Sequence, residues 1–203
     1  MKYLLQGFTM GLAYVAPIGL QNLFVINTAL TQKKRRAFLT ALIVIFFDIT
    51  LALACFLGVG AIMEKSKILE LIILLVGSII VIYIGFGLLK SKGNIENSTD
   101  VNVPLKKVIT TACVVTWFNP QAIIDGSMML GAFKASLPGE EGIKFILGVM
   151  SASVTWFLGI TLFITIFSNK FTDNVLTWIN RVCGVVIIFY GVKLLLSFIN
   201  MIR

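Results

Sequence analysis

The chain has 203 residues, of which 58% are hydrophobic and 13% are charged, and its mean hydropathy is +0.99. A soluble domain of this size needs a polar surface that this composition cannot supply. The formal net charge of +8 comes from basic residues in the short gaps between apolar segments, so it indicates membrane topology and not nucleic-acid binding.

Six apolar segments have the roughly 20 residues that a helix needs to cross the hydrocarbon core of a bilayer. The predicted spans are Leu4–Thr28, Ala37–Met63, Ile68–Leu89, Val108–Gly131, Ile143–Ser168 and Val175–Asn200. The first segment follows a lysine, like a secretory signal, but polar residues interrupt it and no small-residue cleavage pattern follows. We therefore expect an all-α integral membrane protein with six transmembrane helices.

Basic residues are concentrated in alternate gaps between these segments. The first and third gaps hold or adjoin Lys33, Lys34, Arg35, Arg36, Lys90, Lys92, Lys106 and Lys107. Because positively charged loops stay in the cytoplasm, the first, third and fifth gaps are predicted to face inward. Both termini are then predicted to lie outside a bacterial-type plasma membrane.

The polar stretch 91–107 divides the six segments three and three, and its composition is typical of a flexible cytoplasmic linker. One membrane domain, 1–203, would then consist of the halves 1–90 and 108–203. Two three-helix repeats joined in this way enter the membrane from opposite sides, a layout common among secondary transporters.

The halves also resemble each other in sequence. Residues 76–83 and 183–190 each place a glycine and a tyrosine six residues apart, and Pro17 aligns with Pro120 at a similar offset. These matches predict two inverted repeats. Chance similarity between glycine-rich apolar helices is the alternative.

Two of the predicted helices are interrupted by a proline with glycine or amide residues beside it. The residues concerned are Pro17, Gly19, Gln21 and Asn22 in the first segment and Asn119, Pro120 and Gln121 in the fourth. A proline removes a backbone donor, and the freed carbonyls together with the amide side chains can hold a polar solute. Helices broken at corresponding positions of two halves indicate a transport site. The alternative is that the prolines only shape the helices.

Two carboxylates lie inside apolar segments, Asp48 in the second and Asp125 in the fourth. Burying each costs about 2.5–3.5 kcal/mol, and no lysine or arginine occurs at comparable depth to neutralise them. We interpret both as functional, the alternative being hydrogen bonds that lock helix packing. An offset of 107 residues pairs Asp48 with Thr155. Tyr83 and Tyr190 are secondary candidates for the site, although they could equally fill the interior.

At these positions the sequence resembles the lysine exporter (LysE) family, in the branch that includes bacterial arginine exporters. Residues 17–22 are similar to the family's Pro-x-Gly-Pro-Gln-Asn element, Asp48 matches its acid in the second helix, and residues 119–125 match Asn-Pro-x-x-x-x-Asp. Leu20 departs from the pattern by replacing the second proline, and Gln121 stands where some relatives carry histidine or asparagine. The resemblance covers essentially the whole chain and implies export of amino acids without ATP.

The absence of a nucleotide-binding G-x-x-x-x-G-K-[ST] loop makes transport secondary. We expect Asp48 and Asp125 to face the charged side chain of L-lysine or L-arginine and to carry an exchanged proton. The amides and the opened backbone would hold the α-amino and α-carboxylate groups. The predicted partners are thus a cationic amino acid, protons and lipid. No metal or cofactor is expected, because the chain has no histidine and its cysteines stand alone. A nucleic-acid partner and an enzymatic activity are not expected either.

Three other readings remain open from the residues. One is a non-transporting membrane scaffold, which predicts no solute binding and leaves the buried acids unexplained, and the other two involve transport or redox chemistry. The first of these two is a neutral amino acid or another small cation carried on the same fold. The second is a thiol-redox membrane electron carrier, which requires one cysteine in each of the first and fourth helices. Cys113 supplies one of these, and the first helix has none.

Overall fold

The computed structural model describes residues 1–17, 19–58, 67–90, 104–137, 139–167 and 173–202, and these residues form eight α-helices. Their bounds are α1 Lys2–Val15, α2 Leu20–Thr31, α3 Lys34–Phe56, α4 Lys67–Lys90, α5 Leu105–Trp117, α6 Pro120–Ser136, α7 Glu140–Phe167 and α8 Asp173–Ile202. Most of the predicted linker 91–107 lies outside the described residues. Its last three residues already belong to α5.

The first and fourth predicted spans are each divided into two helices. α1 and α2 bend by 78° across residues 16–19, beside Pro17. α5 ends at Trp117, and α6 begins at Pro120. Proline cannot donate a backbone hydrogen bond and clashes with a preceding helical turn, so it begins helices more readily than it continues them. Both interruptions that the sequence predicts are therefore present.

The second predicted span ends earlier than expected. The sequence predicted a helix to Met63, whereas α3 ends at Phe56. Gly58 follows with φ = 96°, a left-handed conformation that costs glycine little, and its N–H donates to the carbonyl of Cys55. The predicted end was wrong because apolar residues continue past this glycine. Residues 59–66 lie outside the described part of the chain.

Three helices are long and apolar enough to cross a membrane, judged by length and composition: α3, α7 and residues 184–202 of α8. The bent pair of α1 and α2 passes the same test as one broken span. Large apolar side chains face outward along these helices, and Phe46, Phe163 and Phe189 are each more than half exposed. A helical bundle with an apolar exterior is what a lipid environment requires.

Glycines let α1 approach α7 closely. Side chains at Gly7 and Gly11 would collide with the backbone of Phe145 and Val149, and a side chain at Gly148 would collide with the backbone of α1. Since residue numbers rise together along both helices, α1 and α7 run parallel. Small residues at such contacts allow the backbone-to-backbone packing on which membrane helices depend.

The helix α3 also packs against α7, in the opposite direction. Phe56 stacks on Phe145 with ring centroids 6.2 Å apart, while Asp48 contacts Ser153 further along. Apolar residues from α3, α6 and α7 fill the space around the Phe56 end of this contact. The Asp48 end is polar, and it lies close to both helix breaks.

The helices α4 and α8 form a second antiparallel pair. Side chains at Gly85 and Gly184 would each meet the carbonyl oxygen of the other residue, and one at Gly191 would meet Ile82. This pair covers the breaks from one side. Leu20, Leu23, Val81, Val115 and Ile187 form the apolar cluster between it and the helices α2 and α5.

Alanine in place of Gly148 tests the contact between α1 and α7. The added Cβ would collide with the backbone of Leu4 and Phe8, so we expect the free energy of unfolding to fall by about 1–3 kcal/mol. Gly159 lies on the same helix, and no atom of the described residues lies within 4 Å of the equivalent position, so Gly159→Ala should not destabilise the protein. Thermal unfolding midpoints of the two variants in detergent, monitored by size-exclusion chromatography, compare their stabilities. Equal midpoints would contradict the close contact.

Candidate functional site

The centre of the site is the carboxylate of Asp48 on α3, which is 0% exposed. Its Oδ1 accepts a hydrogen bond from Gln21 Nε2 at 3.1 Å, and its Oδ2 accepts one from Ser153 Oγ at 2.5 Å. Each oxygen thus has one neutral donor, from α2 and from α7 respectively. A carboxylate held at this depth requires such donors, because lipid and apolar side chains offer none.

A fourth helix joins through Thr116, which is fully buried in the last turn of α5. Gln21 Nε2 donates to Thr116 Oγ1 at 3.0 Å as well as to Asp48. We call Gln21, Asp48, Thr116 and Ser153 the polar cluster. The cluster connects α2, α3, α5 and α7. Gln21 lies in the first turn after the first break, and Thr116 lies in the last turn before the second.

Within the described residues, no ammonium or guanidinium group lies within ion-pair distance of Asp48. The hydrogen bonds that Asp48 accepts come from an amide and a hydroxyl. Tyr14 and Cys55 lie within electrostatic range of the carboxylate, and neither is a cation. A buried acid surrounded in this way can take up a proton or a cationic solute, and either event would remove the unfavourable buried charge.

The first break is held open by Asn22. Its Nδ2 donates to the carbonyl oxygens of Val15 and Pro17, both at 2.8 Å, and its Oδ1 accepts from Trp156 Nε1 at 2.7 Å. The side chain is 3% exposed, and both N–H bonds and the oxygen of its amide already have partners. Asn22 therefore satisfies backbone groups that the break would otherwise leave unpaired.

The second break is built differently. Asn119 is the N-cap of α6, and its Oδ1 accepts from the backbone N–H of Ala122 at 3.5 Å. Asparagine followed by proline is a favoured helix start, since proline lacks the N–H that the first turn leaves unpaired. The side chains of Pro120 and Gln121 lie outside what the structure describes.

Two side-chain contacts connect the breaks to each other. Tyr14, before the first break, donates its hydroxyl to the carbonyl of Ala122, after the second, at 3.1 Å. Gln21, after the first break, donates to Thr116, before the second. One contact joins the segment before the first break to the segment after the second, and the other joins the segment after the first break to the segment before the second. A change of shape at one break would therefore disturb a contact with the other.

The remaining predicted site residues lie around this cluster. Asp125 is exposed on α6, and both it and Asp48 lie within electrostatic range of the Tyr14 hydroxyl. Gly19 is half-buried with an extended backbone, and among the described residues a methyl group there would meet only the Pro17 carbonyl, at 3.9 Å. The described neighbours therefore do not require a glycine at this position.

Two of the three secondary candidates, Thr155 and Tyr83, are not brought to Asp48. Thr155 is exposed, and its hydroxyl donates to the carbonyl of Ser151 on its own helix. Tyr83 is 78% exposed, and the side chain of Tyr190 lies outside the described residues.

Ser153, Thr116 and Trp156 are the site residues that sequence reasoning missed. Ser153 follows Asp48 by 105 residues, between the separation of the two prolines, 103, and the 107 used to choose Thr155. An offset that lengthens gradually between the first and last helices of each half would have found it.

Comparison with known proteins identifies the class. The LysE type translocator family matches residues 12–197, so the chain belongs to this family and is a transporter, not an enzyme. Among its relatives, the Arginine exporter protein ArgO of Escherichia coli (strain K12) is 32% identical over 95% of this chain and 93% of its own length. The protein of the same name from Salmonella paratyphi A is 33% identical over 79% of this chain and 77% of its own length. No solved structure matches the chain.

Alanine in place of Asn22 tests its role at the first break. The carbonyls of Val15 and Pro17 and the indole of Trp156 would lose their partner, so we expect a loss of about 1–3 kcal/mol in the free energy of unfolding. Thr31→Ala on the same helix removes only a local hydroxyl–carbonyl bond and should change stability by less than about 0.5 kcal/mol. Thermal unfolding in detergent measures both, and an unaffected Asn22→Ala protein would rule the role out.

Proposed function

We propose that this protein exports a basic amino acid, L-arginine or L-lysine, from the cytoplasm. One observation carries the proposal: Asp48 is wholly buried where two broken helices meet, with neutral partners in the described structure. A cationic side chain is the solute that best compensates such an acid. The names of the relatives support the same substrate class. Both are called arginine exporters, and this chain matches them over most of their length.

The proposed mechanism is exchange of the substrate for a proton. A carboxylate holds either a proton or a cation, so loading the cation on the cytoplasmic side would release the proton brought from outside. Moving one cation outward against an inside-negative potential costs about 2.3 kcal/mol per 100 mV, and one proton moving inward cancels that electrical cost. Asp48 is proposed as the carboxylate that makes this exchange. Asp125, which is exposed and lies within electrostatic range of Tyr14, is proposed as a second carboxylate that takes part in it.

The polar groups at the two breaks are proposed to hold the amino-acid backbone. Gln21, Asn119 and Gln121 would bind the α-amino and α-carboxylate groups, while the free space at Gly19, beside Pro17, would admit the solute. We include Pro120 because it sets the start of α6. Asn22 contributes by shaping the break, since it could bind the solute only by releasing the carbonyls it now holds.

Six membrane passes arranged as two inverted repeats are proposed for the fold. Equivalent helices of inverted repeats run in opposite directions. The antiparallel packing of α3 with α7 and of α4 with α8 supports this arrangement. The concentration of basic residues in alternate gaps supports placing both termini outside the bacterial inner membrane.

Asparagine in place of Asp48 tests the exchange. It keeps the size of the side chain but removes the acid, so pH-driven counterflow of arginine or lysine in proteoliposomes should fall by about a hundredfold or more. Asp125→Asn should also lose pH-driven counterflow.

The matched control is Glu140→Gln, which removes a carboxylate from an exposed ion pair with Lys144 and should leave counterflow unchanged. Unchanged flux in both aspartate variants, with wild-type protein active, would end the proposed mechanism. A wild-type protein that moves neither amino acid would end the proposed function.

Reporter fusions test the orientation. Alkaline phosphatase, which is active only outside the cytoplasm, should be active when fused after Ile202 and inactive when fused near Asn97 in the third gap. Green fluorescent protein at the same two positions should give the opposite pattern. Phosphatase activity at Asn97 and none at the C-terminus would reverse the proposed topology.

A further inference from the structure

We propose that the side-chain amide of Gln21 is an internal counterpart of a substrate guanidinium, and that Thr116 is a specificity-determining residue that accepts a hydrogen bond from that guanidinium. During transport the amide and the guanidinium would exchange places beside Asp48. This inference rests on the proposed function and names arginine, in preference to lysine, as the substrate that the site fits.

The geometry centres on a single nitrogen atom. Gln21 Nε2 lies 3.1 Å from Asp48 Oδ1 and 3.0 Å from Thr116 Oγ1, so one NH2 group is shared between acceptors on two helices. An amide NH2 is planar and has two N–H bonds. A terminal guanidinium nitrogen has the same planar NH2 group, whereas an ammonium has three N–H bonds in a tetrahedral arrangement. The two acceptors therefore match a guanidinium better than an ammonium.

Replacement of the amide by a guanidinium is favourable at this position. Hydrogen bonds from an ionised donor to a carboxylate are roughly twice as strong as neutral ones. The charge of Asp48 is then compensated in a place where the described residues supply no cation. The displaced Gln21 amide needs a new acceptor, and the α-carboxylate of the same amino acid is one.

Thr116 and Ser153 have different roles in the polar cluster. Ser153 Oγ engages Asp48 Oδ2 and so leaves Oδ1 as the oxygen presented to Gln21. Thr116 is fully buried and accepts the second N–H of the same nitrogen. A solute that donates no hydrogen bond to the Thr116 hydroxyl would leave a buried polar group unpaired. Binding sites discriminate against close analogues of their substrate in this way.

The test measures arginine and lysine counterflow by the full-length protein in proteoliposomes, with KM and maximal rate for each. Thr116→Val keeps the shape but removes the acceptor, and it should raise the KM for arginine about tenfold while changing the KM for lysine less. Thr116→Ser keeps a hydroxyl and should therefore keep the wild-type preference for arginine over lysine.

The matched control is Thr50→Val, because the Thr50 hydroxyl accepts one hydrogen bond from the indole of Trp117 and does not touch the polar cluster. It should leave the arginine-to-lysine preference unchanged.

Gln21→Ala gives an independent readout. Gln21→Ala removes the amide that competes for Asp48 and also its contact with the α-carboxylate, so the readout uses agmatine, the arginine analogue that lacks this carboxylate. Only the competition remains for agmatine, and the agmatine concentration that half-inhibits arginine counterflow should fall by about three- to tenfold. An unchanged or raised half-inhibiting concentration of agmatine in Gln21→Ala, or a Thr116→Val protein with the wild-type arginine-to-lysine preference, would overturn the inference.

These outcomes are separable from failure of the proposed function. If the wild-type protein moves arginine and Asp48→Asn does not, the proposed function stands whatever the Thr116 and Gln21 variants do. If the wild-type protein moves neither amino acid, both proposals fall together.

Discussion

A carboxylate enclosed on every side has to be solvated by the protein itself. Asp48 is the only acid within α3, and two donors reach it from different helices, Gln21 from α2 and Ser153 from α7. Without the bend before α2, Gln21 would continue the line of α1, since the two helix axes diverge by 78°. The interruption of the first span thus places one of the two donors that the buried Asp48 carboxylate needs.

Each interrupted span satisfies its exposed backbone groups in its own way. Asn22 folds back on two carbonyls of the first break, whereas Asn119 caps the helix that starts after the second. Because Tyr14 and Gln21 connect the breaks reciprocally, the four flanking segments form a closed set of contacts. The chain belongs to a transporter family, and in many transporters the substrate site lies where membrane helices are discontinuous.

The sequence was informative wherever the cause of a feature is local. Prolines with neighbouring amides located both breaks, and a lone acid in an apolar segment located Asp48. Hydroxyl residues were not predictable, because serine and threonine in helices usually bond to a carbonyl one turn earlier, as Thr161 does. Only the packing of α7 against α3 distinguishes Ser153 from Thr155. The early end of α3 was missed because apolar composition gives no sign that Gly58 turns left-handed.

The indole rings provide a built-in optical signal. Two of the three tryptophans are tied to the interrupted regions: Trp156 bonds to Asn22, and Trp117, the last residue of α5, bonds to Thr50. The third, Trp178 on α8, is 65% exposed and takes no part in these contacts. Emission from an indole shifts to longer wavelength when water reaches it. Rearrangement of either interrupted span would therefore be visible by spectroscopy in the unlabelled protein, with Trp178 as a constant background.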